Sequence, residues 1–355
     1  MRGRAEGIAV SADLLSVRDL SVSFRTEAGT VRALFGVSFS LSPGETLGLV
    51  GESGCGKTIT ALSILNLLPS PPAVREGGRV LYRGRDLAPL SDAEMCSVRG
   101  KEISMIFQEP MTSLNPVLTI GVQVAEVFTA HRACGKAEAM ERAVEWLRRV
   151  NMPDAERRVR EYPHQMSGGM RQRAMIAMAL ALEPAILIAD EPTTALDVTI
   201  QAQILSLLKE MRERQGMAIL LITHDLGVVS EVADRVAIMY LGRIVEIAKT
   251  ADLFARPIHP YTEGLIRSLP GQRTGDRRLP SIPGTVPGLD AIPPGCPFAD
   301  RCPVRQDALA RFRAGETERD ELAVCDQVDP PLEEYAPGHR AACHYRRTRW
   351  KGEGG

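Results

Sequence analysis

An excess of charge of either sign is missing from this chain of 355 residues: 43 Lys and Arg stand against 44 Asp and Glu, for a formal net charge of −1. A nucleic-acid binder needs a basic face, and only Arg346 to Lys351 is locally basic, so no nucleic-acid partner is expected. Long hydrophobic runs are missing too. No stretch approaches the roughly 20 apolar residues that span a bilayer, and Met1-Arg2-Gly3-Arg4-Ala5-Glu6 leads into no signal-peptide core. The chain is therefore expected in the cytosol. Internal repeats are absent, and so are the tight C-x-x-C pairs of structural zinc, although there are seven cysteines. In a reducing compartment these are not structural disulfides, so a cluster among them points to metal. What remains is an ordinary globular composition, 44% hydrophobic and 25% charged, with length for about two domains.

Against that background one stretch stands out. Gly51-Glu52-Ser53-Gly54-Cys55-Gly56-Lys57-Thr58 fits G-x-x-x-x-G-K-[ST], a loop whose glycines let backbone N–H groups wrap a polyphosphate. The following helix aims its positive end at the same anion. Lys57 reaches the outer phosphates as a point charge, and the Thr58 hydroxyl ligates Mg²⁺. The flanks supply the required context. Glu45 to Val50 reads as a buried strand, and Thr58, Ala61, Leu62 and Leu65 recur at helical spacing.

The rest of the chain reads as α/β. Alternation from Leu14 to Leu41, with Phe35, Val37 and Phe39 on one parity, predicts an antiparallel sheet of two or three strands, and Gly77 to Tyr82 predicts one more. From about Asp92 to Pro163 the pattern turns helical, with Val122, Ala125 and Val127, then Ala143, Trp146, Leu147 and Val150, so that 92–163 reads as a helical insertion. Ala185 to Asp190 and Ala218 to Thr223 are apolar runs suited to strands buried on both faces. Between them Ile200, Ile204, Leu207, Leu208 and Met211 trace a helix face. Parallel strands gather ligands at their carboxyl ends, where Lys57, Asp190, Glu191 and His224 all fall. From Gly271 to Pro303 seven prolines leave little room for regular structure. That places a boundary near Leu269, dividing the chain into 14–268 and a small extension, 269–355.

Three separated motifs now stand together. Gly51 to Thr58 resembles a Walker A loop, Ala185 to Asp190 with Glu191 resembles Walker B and its adjoining acid, and Met166-Ser167-Gly168-Gly169-Met170-Arg171-Gln172-Arg173 resembles an ABC signature. The chain resembles an ABC transporter ATPase subunit over about residues 14 to 250. Gln108 falls at the Q-loop glutamine, Ala195-Leu196-Asp197 at the D-loop and His224 at the switch histidine. Within that family the likeness is to ATPase subunits of oligopeptide and dipeptide importers, some of which serve nickel. It is carried by Gln108 to Pro116, Met170, His259-Pro260-Tyr261-Thr262 and the cysteine-bearing tail. The signature departs from the common form at Met166 and Met170 but keeps Ser167, Gly168 and Gly169.

The resemblance implies ATP hydrolysis with defined parts. Thr58, and Asp190 directly or through water, hold Mg²⁺ across the phosphates. Glu191 polarises the attacking water. Gln108 touches metal or water and reports to the helical block, and His224 contacts the γ-phosphate and holds Glu191 in place. Gly51, Glu52, Ser53, Gly54, Cys55, Gly56, Lys57 and Thr58 line the nucleotide, and Phe24 stacks on adenine, with Phe35 and Phe39 as neighbouring alternatives. Ser167, Gly168 and Gly169 serve the nucleotide of a partner in a head-to-tail dimer, which the family implies to be a heterodimer of ATPases. Two transmembrane permease subunits and an external solute-binding protein complete the implied importer at the cytoplasmic face of the membrane.

Cys296, Cys302, Cys325 and Cys343 are spaced C-x5-C-x22-C-x17-C. Four thiolates complete a metal shell and staple a segment with little core. The tail resembles the extension of peptide-importer ATPases, some of which carry a [4Fe-4S] cluster on four such cysteines; zinc and unligated thiols are the alternatives. Cys55, Cys96 and Cys134 have no metal role in this reading, and His339 and His344 are ordinary tail residues. The rival from another class is a soluble ABC ATPase acting on nucleic acid. Two cassettes or a long coiled coil mark those proteins, and this chain has one cassette and near-neutral charge.

Overall fold

The computed structural model describes residues 13–27, 29–108, 113–193, 197–269, 282–289, 291–317, 320 and 322–349. Met1 to Glu6, Glu109 to Thr112, Ala195, Leu196, the 270–281 part of the proline-rich stretch including Pro280, and the basic end beyond Arg349 lie outside those residues. Two sheets organise the chain. The strands are β1 Leu15–Thr26, β2 Gly29–Leu41, β3 Thr46–Val50, β4 Ala73–Tyr82, β5 Arg85–Asp86, β6 Ile103–Ile106, β7 Ile186–Asp190, β8 Ala218–Thr223, β9 Arg235–Tyr240, β10 Arg243–Lys249, β11 Glu333–Ala336 and β12 His339–Ala341.

The smaller sheet is antiparallel, in the order β2-β1-β4-β5. Its expected alternation breaks at three irregularities in the β1/β2 pairing. The β1/β2 register shifts between Leu20 and Val22, near Gly36 at φ 72°. Val37 and Phe39 are buried but Phe35 is turned out, as a bulge requires. Guanidinium groups of Arg32 and Arg243 lie 4.9 and 3.9 Å from the Phe35 ring centre.

The larger sheet runs β11-β12-β10-β9-β3-β8-β7-β6, parallel from β9 to β6. Each residue of β3, β7 and β8 is buried. The two faces of each strand serve different cores. Leu187, Ala189, Ile219 and Leu221 face a helical cluster with Phe128, Trp146 and Leu147, whereas Ile186, Ile188, Leu220 and Ile222 face a cluster shared with the small sheet and Leu47, Leu49 and Ile64. Doubly buried strands carry continuous apolar runs for this reason.

Two sequence readings change. The stretch 92–163 is not helical throughout: after one turn at Asp92–Met95 it contributes β6, which pairs with β7. The helices that follow are Ile120–Ala130, Lys136–Arg149 and Ala155–Arg158. Ile103-Ser104-Met105-Ile106 is too short for its period to show. In the first of those helices the buried face is Ile120, Val124, Ala125 and Phe128, and Val122 is exposed.

The tail, read as a small extension, is built into the cassette's sheet. β12 pairs antiparallel with β10, Glu246 opposite Ala341, and β11 pairs outside it. Phe298, Leu322, Cys296 and Cys325 share a core with Val236, Ile238 and Tyr240 of β9. Glu246, fully buried, fastens the join: its Oε1 accepts from Ile258 N at 2.8 Å and lies 2.7 Å from His339 Nε2, and its Oε2 accepts from His259 N at 2.9 Å.

Candidate functional site

The loop from Gly51 to Thr58 joins β3 to the helix Lys57–Ile64. Its first glycine is dictated by space, since a Cβ at Gly51 would lie 2.2 Å from Met239 O and 2.7 Å from Cys55 Sγ. Gly56 is the helix N-cap at φ 105°, a conformation open to glycine. Ser53 and Gly54 are exposed at the tip, and Cys55 is buried beneath, its thiol pushed up by burial. Lys57 is 6% exposed, and its ammonium donates to Gly51 O at 2.8 Å and Glu52 O at 3.1 Å. A buried cation at the centre of a loop of N–H groups is set to meet an anion.

β7 and the turn after it bring the acids to this loop. Asp190 is 1% exposed, stands beside the Thr58 hydroxyl, and its Oδ1 has no hydrogen-bond partner. Burial, and then the charge of Glu191, push the Asp190 carboxyl up, while Thr58 and Lys57 oppose them. An orphaned buried carboxylate oxygen beside a hydroxyl fits a hard cation such as Mg²⁺, which takes one or two protein ligands and completes its shell with water and phosphate.

Glu191 follows in the left-handed conformation, φ 46°, with its N–H bonded to Ile222 O at 2.8 Å. That turn swings the carboxylate over the strand ends, where two side chains take one oxygen each. Gln108 Nε2, just beyond β6, donates to Oε2 at 3.1 Å, and His224 Nδ1, just beyond β8, lies 3.3 Å from Oε1. Glu191 is 13% exposed and His224 61% exposed, so the pair closes inward and opens outward. The four residues expected at one rim, with Gln108, meet there.

Ser167 caps the helix Gly168–Leu180, its Oγ accepting from Met170 N at 3.4 Å. Ser167 and Gly169 open onto a different groove, bordered by Asn151, Thr199 and Gln203. Asp197 caps the helix Val198–Gln215 through Ile200 N at 3.0 Å. Phe24 is half-buried on β1, beside Val31 and Ala73, against the core between the sheets.

Cys296, Cys302, Cys325 and Cys343 lie near enough for Cys296, Cys325 and Cys343 each to feel the charge of another thiol of the set. Cys296 N donates to Cys325 O at 2.7 Å, and a Cβ at Gly295 would stand 2.3 Å from that oxygen. All four thiols are pushed up by burial, Cys325 to about 11 and Cys343 to about 12; neighbouring thiols add to this at Cys296, Cys325 and Cys343, whereas at Cys302 backbone N–H groups and the Arg305 charge oppose it. Among the described residues, no three His, Cys, Asp or Glu side chains are grouped to hold a single metal ion.

Sequence reasoning missed what stands behind the loop. Arg301 pairs with Glu52 at 2.7 and 3.1 Å, and Tyr261 Oη accepts the Glu52 N–H at 3.1 Å. The stretch His259 to Thr262 stands out in the sequence only for its likeness to peptide-importer ATPases, with no structural role assigned; Arg301 carries no signal beyond standing next to Cys302.

A parallel sheet whose strand ends present a phosphate loop, a buried aspartate and a glutamate gripped from two sides defines a phosphate-loop nucleotide hydrolase. Comparison narrows the class. A family model for ABC transporters matches residues 34–194, and one for the C-terminal region of oligopeptide/dipeptide transporters matches residues 245–308. The chain is 55% identical over 331 residues to a probable peptide ABC transporter ATP-binding protein, y4tR of Sinorhizobium fredii, spanning 93% of this chain and 94% of that one. It is 54% identical over 306 residues to the dipeptide transport ATP-binding protein DppD of Bacillus subtilis, spanning 86% and 91%. Among solved structures, a dimeric bacterial ABC transporter cassette aligns with a TM-score of 0.60 and 28% identity over 66% of this chain and 98% of that one. A second structure of that cassette, dimeric and post-hydrolysis, is bound to ADP and phosphate. The chain belongs to the ABC transporter family of ATP-binding proteins, in its oligopeptide/dipeptide branch, and is an ATPase.

Proposed function

We propose that this chain is the ATP-hydrolysing motor subunit of a peptide importer, with Glu191 as the base that polarises the attacking water. The observation that carries the reading is the grip of Gln108 and His224 on the two oxygens of that one carboxylate, beside the phosphate loop. Lys57 neutralises the outer phosphates, and the N–H groups of Ser53 to Thr58 cradle them. Thr58 and Asp190 hold Mg²⁺, which, when bound, offsets charge on the phosphate oxygens. His224 contacts the γ-phosphate and orients Glu191. Phe24 supplies the aromatic face for adenine.

None of the residues lining the signature groove belongs to the chain's own phosphate loop, which supports a head-to-tail dimer in which Ser167, Gly168 and Gly169 complete a second ATPase subunit's site. The dimeric relative supports the same arrangement, and a heterodimer is the reading favoured here. Two permease subunits dock from the membrane. A groove of about 650 Å³ adjoining Gln108, lined by Phe107, Ser113, Gln123, Val127, Met175 and Met178, suits them, and Phe107 is 40% exposed there. Among the described residues no helix is long and apolar enough to cross a membrane. The kinship with importer ATP-binding subunits supports a peripheral subunit at the cytoplasmic face, with an external binding protein delivering the peptide.

For Cys296, Cys302, Cys325 and Cys343 the ligand proposed is a [4Fe-4S] cluster, with zinc as the alternative. A cluster interposes its own iron and sulfide between ligands, so its cysteines need not close on one ion. Iron and sulfide content after anaerobic purification checks this, with Cys302→Ser as the control.

The motor reading is tested by ATPase activity of the assembled complex, with and without peptide-loaded binding protein, in wild type and Glu191→Gln. Peptide-stimulated activity that disappears in the variant is expected. Activity indifferent to peptide and retained in the variant overturns it.

A further inference from the structure

The phosphate loop is braced from behind by side chains from the far end of the chain. Arg301, 5% exposed, places Nη1 2.7 Å from Glu52 Oε2 and Nη2 3.1 Å from Glu52 Oε1. Two parallel N–H···O bonds fix the plane of a carboxylate as well as its position. The same guanidinium donates from Nε to Pro283 O at 3.0 Å and from Nη1 to Tyr240 Oη at 3.4 Å. Tyr261, fully buried, accepts the Glu52 N–H at 3.1 Å and donates to Glu52 Oε2 at 3.4 Å. Tyr240, Tyr261 and Phe298 pack ring against ring at 4.7, 5.4 and 5.3 Å, so neither Arg301 nor Tyr261 has room to swing away.

Arg301 is presented by a short turn bracketed by two cysteines. Ala299 N bonds to Cys296 O at 3.0 Å, Arg301 N to Phe298 O at 3.1 Å and Cys302 N to Ala299 O at 3.2 Å. Whatever fixes this turn fixes the guanidinium. Glu52 is the second residue of the loop, and its carboxylate without a partner would repel triphosphate oxygens nearby.

We propose that Arg301 is a positioning residue of the nucleotide site, through which the cysteine-bracketed turn of the C-terminal segment sets the shape and charge of the phosphate loop and so its affinity for ATP. This rests on Gly51 to Thr58 being the ATP site. Arg301 touches no nucleotide; it acts through Glu52. With the pair made, the start of the loop is pinned between Arg301 and Tyr261 and carries no net charge towards the phosphates. With the turn displaced, Glu52 becomes an uncompensated anion beside them.

The test uses the full-length chain titrated with a fluorescent ATP analogue, and the assembled importer for turnover. Arg301→Met is expected to weaken binding about tenfold, with kcat at saturating ATP within about twofold of wild type, and Glu52→Gln added to it restores most of the affinity. Affinity within about twofold of wild type in Arg301→Met, or a loss that Glu52→Gln does not relieve, overturns the proposal. Should Arg301→Met fail to fold, Tyr261→Phe and Arg301→Lys carry the test: each is expected to weaken binding about threefold, and unchanged affinity in both overturns it. Lys57→Ala separates the two levels of the argument. If it binds nucleotide like wild type, the ATP-site assignment has failed and the proposal falls with it; if it loses binding while Arg301→Met does not, only the role of Arg301 is wrong.

Discussion

His224 Nδ1 stands 3.3 Å from Glu191 Oε1 while Gln108 holds the other oxygen at 3.1 Å, so one carboxylate is fixed by residues that follow two different strands. A base held this way has one orientation towards a water on its open side. Glu191→Gln should lower phosphate release by about 10²- to 10⁴-fold, the span expected for a positioned base, while nucleotide binding survives. His224→Ala combined with Glu191→Gln should cost no more than Glu191→Gln alone, because both act through the same water. Single-turnover hydrolysis and nucleotide titration of the three variants check this.

The space behind Gly51 makes a second prediction. With Met239 O 2.2 Å from the position of a Cβ, Gly51→Ala has to displace backbone of β9 rather than a yielding side chain. The expected cost is about 1–3 kcal/mol of stability, with loss of nucleotide binding. Ser53→Ala, at the exposed tip, serves as the control in the same melting experiment.

His259 carries the pH dependence. It is completely buried, and burial pushes its imidazole down to about 4, opposed by Glu246. Nδ1 accepts the Tyr261 N–H at 3.0 Å, which a neutral ring does well. The folded protein thus binds fewer protons than the unfolded chain, whose histidines titrate near 6.5. This stability is fully present above about pH 6.5 and is lost as pH falls towards about 4, with about 3 kcal/mol at stake. Urea midpoints at pH 7 and pH 5 should differ more in wild type than in His259→Asn, whose amide oxygen also caps the helix Pro260–Arg267.

His339 is the fastening of the tail. Replacing it with Ala leaves Glu246, fully buried, with its two backbone donors and without the imidazole. The expected loss is about 1–3 kcal/mol, with faster amide exchange at Glu246 and Ile247, the two residues of β10 paired with β12. His339→Gln, which keeps a donor, should lose less.

What could be read in advance follows from where each signal sits. The phosphate loop, β7 and β8 announce themselves locally, because glycine spacing and doubly buried apolar runs need only a few neighbouring residues to recognise. β6 was hidden by its length, and the turned-out Phe35 by a bulge that no alternation count contains. Ala143, Trp146, Leu147 and Val150 were read correctly because 14 residues of Lys136–Arg149 give the helical period time to show. The brace on Glu52 was out of reach: Arg301 lies 249 residues away, and a pairing across that distance leaves no trace in either neighbourhood.

The placement of β12 also bears on how the protein comes into being. Every strand of the parallel sheet, and β10 after it, leaves the ribosome well before residues 339–341. Until those residues arrive, the outer row of N–H and C=O groups on β10 has no partner, and an open strand edge invites other chains. Ala342 N, bonded to Val245 O at 2.8 Å, is among the last contacts to close it. The nascent chain therefore carries that vulnerable flank until residues 339–342 have been made, and seals it with them.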